Sequence, residues 1–293
     1  MDFTDIAETL DTSNDYRVLR RLKTPVRVSG NEGKPTSRAI VVDVETTGLD
    51  PNSDLIIEFA AIPITYDGNT GEICAVEKSF VFLEDPLRPI PAEITKITGI
   101  TDAMVAGKRI DDDAISRLVS GTNLVIAHNA SFDRKFVQQR MPFFKGSSWA
   151  CSIKDLPWRE RGHSSSALDY LLTKHCRMFF DGHRAEDDCY AVVQLLATRF
   201  ESGENPLMLL LESTARRTLR VWAVGAPYEK KDLLKGRGYR WNGGEDGRPR
   251  SWYAELPAET RVAELLWLTQ NVYGGRDGPV RCDALDATTR YLD

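Results

Sequence analysis

The pattern that organises the chain is Arg38-Ala39-Ile40-Val41-Val42-Asp43-Val44-Glu45-Thr46-Thr47-Gly48, an apolar run broken by two acids and stopped at Thr-Thr-Gly. A run so rich in β-branched residues predicts a buried strand and its terminating turn. Leu55 to Thr65 and Lys78 to Leu83 predict two more strands, joined by turns such as Tyr66-Asp67-Gly68-Asn69 into an antiparallel meander. Pro89-Ile90-Pro91-Ala92-Glu93-Ile94 opens a helix, and Asp111 to Val119 is a second helical pattern with acids in its first turn. Asn123 to Ala127 predicts a buried strand that runs into His128-Asn129-Ala130-Ser131-Phe132-Asp133 and a helix from about Ser131 to Gln139. A short strand near Trp149 to Ser152, a helix over Ala167 to His175 and a last helix from Cys189 to about Phe200 complete the series. Three strands followed by alternating helices and strands predict an α/β fold with a mixed five-stranded sheet.

Outside this body the pattern changes. Tyr16 to Leu22 predicts a small leading helix, and Ser29-Gly30-Asn31-Glu32-Gly33-Lys34-Pro35-Thr36 has linker chemistry. Ser202 to Pro206 is linker-like again. Beyond Thr214 come a short strand at Val221 to Val224 and a basic helix at Lys230 to Lys235. Two aromatic strands, Gly236 to Trp241 and Ser251 to Ala254, flank the loop Asn242-Gly243-Gly244, and Arg261 to Leu268 closes as an amphipathic helix. The expected organisation is an extension over residues 1–36, an α/β domain over 37–203 and a small α+β accessory domain over 214–293.

Composition adds little to this picture except by exclusion. At 293 residues, 42% of them hydrophobic and 28% charged, the chain has the makings of globular domains. No apolar run approaches the ~20 residues of a membrane helix, and the N-terminus lacks a signal pattern, so a soluble, cytoplasmic protein without a membrane partner is expected. The five cysteines contain no C-x-x-C pair, which argues against a zinc site or a disulfide framework. The net charge of −5 argues against nonspecific coating of nucleic acid. From Thr214 onward, however, 14 Lys and Arg stand against 11 Asp and Glu, which makes the body acidic and the tail mildly basic.

The chemistry begins with Asp43 and Glu45. Side chains alternate across a strand, so the two carboxylates share a face. An isolated acid pair of this kind also serves to hold an arginine or cap a turn. Two acids side by side in a sheet nevertheless need compensation, and hard oxygen donors suit Mg²⁺ or Mn²⁺. Two further segments carry acids at helix starts: Asp133, and the adjacent pair in His183-Arg184-Ala185-Glu186-Asp187-Asp188.

Taken together, Val42-Asp43-Val44-Glu45-Thr46-Thr47-Gly48-Leu49, His128-Asn129-Ala130-Ser131-Phe132-Asp133 and His183-Arg184-Ala185-Glu186-Asp187-Asp188 resemble the three motifs of the DEDDh (DnaQ-like) 3′–5′ exonuclease superfamily. That group includes the proofreading epsilon subunit of bacterial DNA polymerase III and ribonuclease T. The resemblance covers roughly residues 37 to 200, with Ile97-Thr98-Gly99-Ile100-Thr101 matching the segment between the first two motifs. It implies a ribonuclease H-like fold and hydrolysis of phosphodiester bonds at a 3′ end, releasing nucleoside 5′-monophosphates. It also implies two Mg²⁺ or Mn²⁺ ions: Asp43, Glu45 and Asp188 would hold one, and Asp43 and Asp133 would help hold the other, so that both oxygens of an in-line displacement are stabilised. The family's five-residue offset from histidine to the last aspartate selects Asp188 over Asp187. His183 would be the general base, since imidazole exchanges protons near neutral pH. By the same resemblance Thr46, Thr47, Gly48 and Leu49 lie beside the terminal nucleotide, with Asn129 and Phe132 supporting the site.

In the tail, Lys230, Lys231, Lys235, Arg237, Arg240, Arg248 and Arg250 interleave with Tyr239, Trp241, Trp252 and Tyr253. Cations with aromatics make single-strand binding surfaces, and the same aromatics also serve as the core of a small module. Single-stranded DNA is the expected substrate. An RNA-directed exoribonuclease and a non-catalytic nucleic-acid-binding module are the alternatives. A polymerase or repair assembly is a further possible partner, and no motif sets the oligomeric state.

Overall fold

A computed structural model describes residues 2–26, 28 and 36–292, so the linker expected over residues 29–35 lies outside the described residues. The chain divides into two compact units, Met1–Thr214 with Tyr291–Asp293, and Ala215–Arg290.

In the first unit, helix α1 spans Phe3–Asp11, capped by the Asp2 side chain, and β1 is the two-residue strand Arg20–Arg21. The expected helix at Tyr16 to Leu22 is therefore a correction: these residues are irregular or extended, and Arg20 and Arg21 pair in parallel with the short strand Met178–Phe179. The central strands are β2 (Thr36–Thr46) and β3 (Ile56–Asp67), followed by β4 (Ile73–Val76) and β5 (Phe80–Leu83). Then come α2 (Ala92–Thr98), α3 (Asp102–Val105), α4 (Asp112–Ser120), β6 (Leu124–Ala127), α5 (Ala130–Arg140), β7 (Trp149–Cys151), α6 (Leu168–His175), β8 (Met178–Phe179), α7 (Ala185–Ala197) and α8 (Pro206–Ala215).

The main sheet has six strands rather than five, in the order β4-β3-β2-β6-β7, with β5 also on β3. β2 runs antiparallel to β3 and parallel to β6, and β6 runs parallel to β7, which is the mixed ribonuclease H-like arrangement. The additional strand is β4. The turn at Asp67–Gly71, with Gly71 at φ 71°, folds Ile73–Val76 back onto the far end of β3, while β5 pairs with the beginning of the same long strand. A run of only four residues carries too little periodicity to be distinguished from a loop.

Alternation along β2 builds two cores. Ala39 and Val41 face α6, α7 and α8 through Leu171, Leu172, Cys189, Val193 and Leu207. Ile40, Val42 and Val44 face the other side, with Ile115, Leu118, Phe136, Val137, Phe144 and Trp149. Continuing the first face by period two places Asp43 and Glu45 where that core ends. The last residues return to this unit, where the Tyr291 hydroxyl donates to Asp155 at 2.6 Å.

The second unit is a four-stranded antiparallel sheet, β10-β11-β9-β12, built from β9 (Thr218–Ala223), β10 (Arg240–Asn242), β11 (Ser251–Pro257) and β12 (Arg281–Leu285). Helices α9 (Lys231–Gly236) and α10 (Arg261–Asn271) contribute Leu234 and Leu268 to its core with Val221, Tyr239, Trp252 and Ala254.

Candidate active site

Four acids converge at the end of the sheet where parallel strands β2 and β6 finish. Asp43 and Glu45 come from β2, Asp133 from the first turn of α5 just beyond β6, and Asp188 from the first turn of α7. Asp43, Glu45 and Asp188 each offer an oxygen within 4.8 Å of the others. Asp133 is not in that trio but lies near enough to Asp43 to act on its charge.

The electrostatics are those of a site short of positive charge. Burial, followed by the charges of Asp133, Asp188 and Glu45, holds the Asp43 carboxyl well above the usual carboxylate range. Burial, with Asp188 and Glu58 adding to it and Arg184 opposing, pushes Glu45 up to about 8. Burial raises Asp133 to about 8 against backbone hydrogen bonds, one of them from Val44. Asp188 rises to about 6, again by burial, restrained by the Arg184 N–H at 3.1 Å and by nearby His183. Closely set carboxyl oxygens with raised proton affinity are the donor set that a hard divalent cation fits.

The two helices that deliver Asp133 and Asp188 begin in the same unusual way. Asn129, four residues before Asp133, has φ 78°, and His183, five residues before Asp188, has φ 69°. Asn and His tolerate the left-handed region better than most side chains, and such outliers concentrate at functional sites. His183 is solvent-exposed on its turn. Asp187, adjacent to Asp188, is half-buried, outside the oxygen trio, and raised chiefly by burial.

The loop after β2 is held by its own side chains. Thr46 Oγ1 donates to the Gly48 carbonyl at 2.5 Å, and Thr47 Oγ1 donates to Asp54 at 3.0 Å while accepting from Arg88 at 2.8 Å and from the Leu55 N–H at 3.0 Å. Both threonines are buried, and Leu49 projects into solvent with 84% of its surface exposed. A Cβ on Gly48 would stand 2.5 Å from the Asp54 carboxylate, so any larger residue would have to displace that side chain. Phe132 packs on Phe136 with ring centroids 4.9 Å apart, and Asn129 is exposed.

One residue escaped the sequence reading. Glu58, buried on β3, accepts from Arg184 Nε at 3.1 and 3.2 Å, from Arg184 Nη2 at 2.5 Å and from the Ala185 N–H at 2.9 Å. The signal was an acid inside the apolar run Ile56-Ile57-Glu58-Phe59-Ala60, the same irregularity that singles out Asp43. His128 Nε2 donates to the Ser166 carbonyl at 2.9 Å, its Nδ1 pairs with Ser152 at 2.7 Å, and burial lowers the ring's proton affinity to about 4. His163 and His175 sit in an aromatic cluster with Trp158.

In the second unit the tail residues separate into two groups. Trp252 is buried in the core, and Arg237 is clamped by Glu264 at 2.8 to 3.0 Å while lying 4.2 Å over Trp267. Lys231 bonds Tyr228 at 2.9 Å, Lys235 lies over Trp252, and Arg240 lies over Tyr253. Trp241 is half exposed on β10 and packs edge-on against Trp252, and Lys230 lies in the short helical turn before α9.

The family model described as Exonuclease matches residues 40–196. The DNA polymerase III PolC-type of Clostridium perfringens is 30% identical over 184 residues, 61% of this chain but only 12% of that protein's length. The DNA polymerase III subunit epsilon of Treponema pallidum is 33% identical over 171 residues, 53% of this chain and 73% of the relative. Among solved structures, Exonuclease X in complex with 5′ overhanging duplex DNA is 30% identical with a TM-score of 0.42, covering 54% of this chain and 89% of that one. With all three motifs inside the matched segment, the chain belongs to the exonuclease family, in its DEDDh (DnaQ-like) group.

Proposed function

We propose that the protein is a metal-dependent 3′–5′ exonuclease acting on single-stranded DNA and releasing nucleoside 5′-monophosphates. The observation that carries this reading is the convergence of Asp43, Glu45, Asp133 and Asp188 from three separated segments, with His183 beside them. In this reading Asp43, Glu45 and Asp188 hold one Mg²⁺ or Mn²⁺ ion, and Asp43 and Asp133 share a second. Bound there, the ions supply polarisation of the phosphoryl group and an acidified water. His183, on an exposed turn, takes the proton of the attacking water at an imidazole nitrogen. The backbone of Thr46, Thr47 and Gly48 lies along the terminal nucleotide, exposed Leu49 packs on its base, and Phe132 with Asn129 supports the floor. Lys230, Lys231, Lys235, Arg240 and Trp241 of the second unit bind a nucleic-acid strand. Since the relatives are named as DNA polymerase III proteins, the setting is a replication or repair assembly.

The test is digestion of matched 5′-labelled single-stranded DNA and RNA with Mg²⁺ or Mn²⁺. Shortening from the 3′ end, faster on DNA, is expected. Faster shortening of RNA would assign an exoribonuclease, and no metal-dependent cleavage of either polymer would overturn the enzymatic reading.

A further inference from the structure

We infer that Glu58 is a positioning residue of this site: its carboxylate fixes the turn that presents His183 and Asp188, and it occupies the Arg184 guanidinium that would otherwise compete with a bound cation. The inference rests on the metal-dependent reading proposed above.

The geometry supports both parts. Glu58 is directly opposite Glu45 in the β2–β3 register, so the two side chains lie on one face of the sheet. Glu58 is 1% exposed, and all its described partners belong to the residues immediately after His183. The bond from the Ala185 N–H fixes the first residue of α7, and the two-nitrogen grip on Arg184 fixes the residue before it. The Arg184 N–H in turn bonds the Asp188 carboxylate at 3.1 Å. A left-handed residue such as His183 persists only where its surroundings hold it, and here the hold comes from β3, through Glu58. The bidentate pair also anchors the Arg184 guanidinium on Glu58, from where its charge still partly offsets that of Glu45.

The test compares wild type, Glu58→Gln and Glu58→Gln/Arg184→Gln. It uses Mn²⁺ affinity by titration calorimetry or electron paramagnetic resonance, steady-state digestion of an oligonucleotide, and a melting curve for each. Partners that orient metal ligands typically contribute about 10–100-fold to metal affinity. Glu58→Gln is expected to lose Mn²⁺ affinity in that range and to lower kcat while KM for the oligonucleotide stays within a few-fold. Removing the freed guanidinium in the double variant is expected to recover Mn²⁺ affinity without recovering kcat, because the charged two-nitrogen grip on residue 184 stays lost. A folded Glu58→Gln with wild-type affinity and kcat overturns the inference alone. Wild type that neither binds Mn²⁺ nor digests nucleic acid overturns the reading of the site, and this inference with it. If Glu58→Gln does not fold, the double variant decides: wild-type kcat refutes positioning, and reduced kcat with retained Mn²⁺ binding supports it.

Discussion

Glu45 and Glu58 stand directly opposite one another across the β2–β3 ladder, and they are compensated in opposite ways. Glu58 is saturated by Arg184 and the Ala185 N–H, whereas Glu45 sits against Asp188 and is driven up to about 8. One acid is thereby built into the frame and the other is left for a cation.

The choice between adjacent acids has a direct consequence. Asp188 belongs to the oxygen trio and Asp187 does not. Asp188→Asn is expected to abolish metal-dependent shortening of a labelled oligonucleotide, and Asp187→Asn to retain it within a few-fold. Equal loss in both variants would contradict the assignment.

His183 is expected to act on protons and not on the ions. His183→Ala should lower kcat by about 10²–10⁴-fold while Mn²⁺ affinity, measured by calorimetry, changes little. A parallel collapse of Mn²⁺ binding would make it a ligand instead.

The raised carboxyls predict how stability depends on pH. Glu45 and Asp133 titrate at about 8 and Asp188 at about 6 in the folded chain, against ordinary values near 4 in the unfolded one. Between about pH 4 and 8 the folded state therefore binds more protons, and the free energy of unfolding falls as pH rises. With a chelator present, the melting temperature should decline from pH 5 to 8. Excess Mg²⁺, which binds the deprotonated folded site, should oppose that decline most strongly at pH 8. A chelated protein whose melting point rises over this range would refute the assignment.

Gly48→Ala tests the loop. The added Cβ displaces Asp54 from Thr47 Oγ1 and from the Asp50 N–H, which it now accepts at 3.0 Å each. A stability loss of about 1–2 kcal/mol and a higher KM for oligonucleotides are expected from melting curves and kinetics. An unchanged KM would remove this loop from substrate binding.

In the second unit, Trp241→Ala should weaken single-strand binding without unfolding, because the ring is half exposed. Stacking of one base on an aromatic is worth about 1–3 kcal/mol. Fluorescence titration with an oligonucleotide would measure it, and unchanged affinity would leave these aromatics to packing alone.

Much of the candidate site could be proposed from the chain because its signals are local. Acids inside an apolar strand and acids at helix starts are visible without knowing what touches what, and it is the resemblance to the exonuclease motifs that singled out Asp43, Glu45, Asp133, His183 and Asp188 among them. The mixed α/β order followed from hydrophobic periodicity in the same way. Pairing and burial over long separations were decided only by the tertiary structure. Strand β4 exists because β3 is long enough to accept two short partners, and residues 20–21 are extended because β8 lies alongside them. Trp252 and Arg237 are taken up by their own unit's packing, a fate that composition leaves open. Glu58 reaches Arg184 across 126 residues. An acid in an apolar run announces that something must compensate it, and only the fold decides whether that partner is an arginine or a cation.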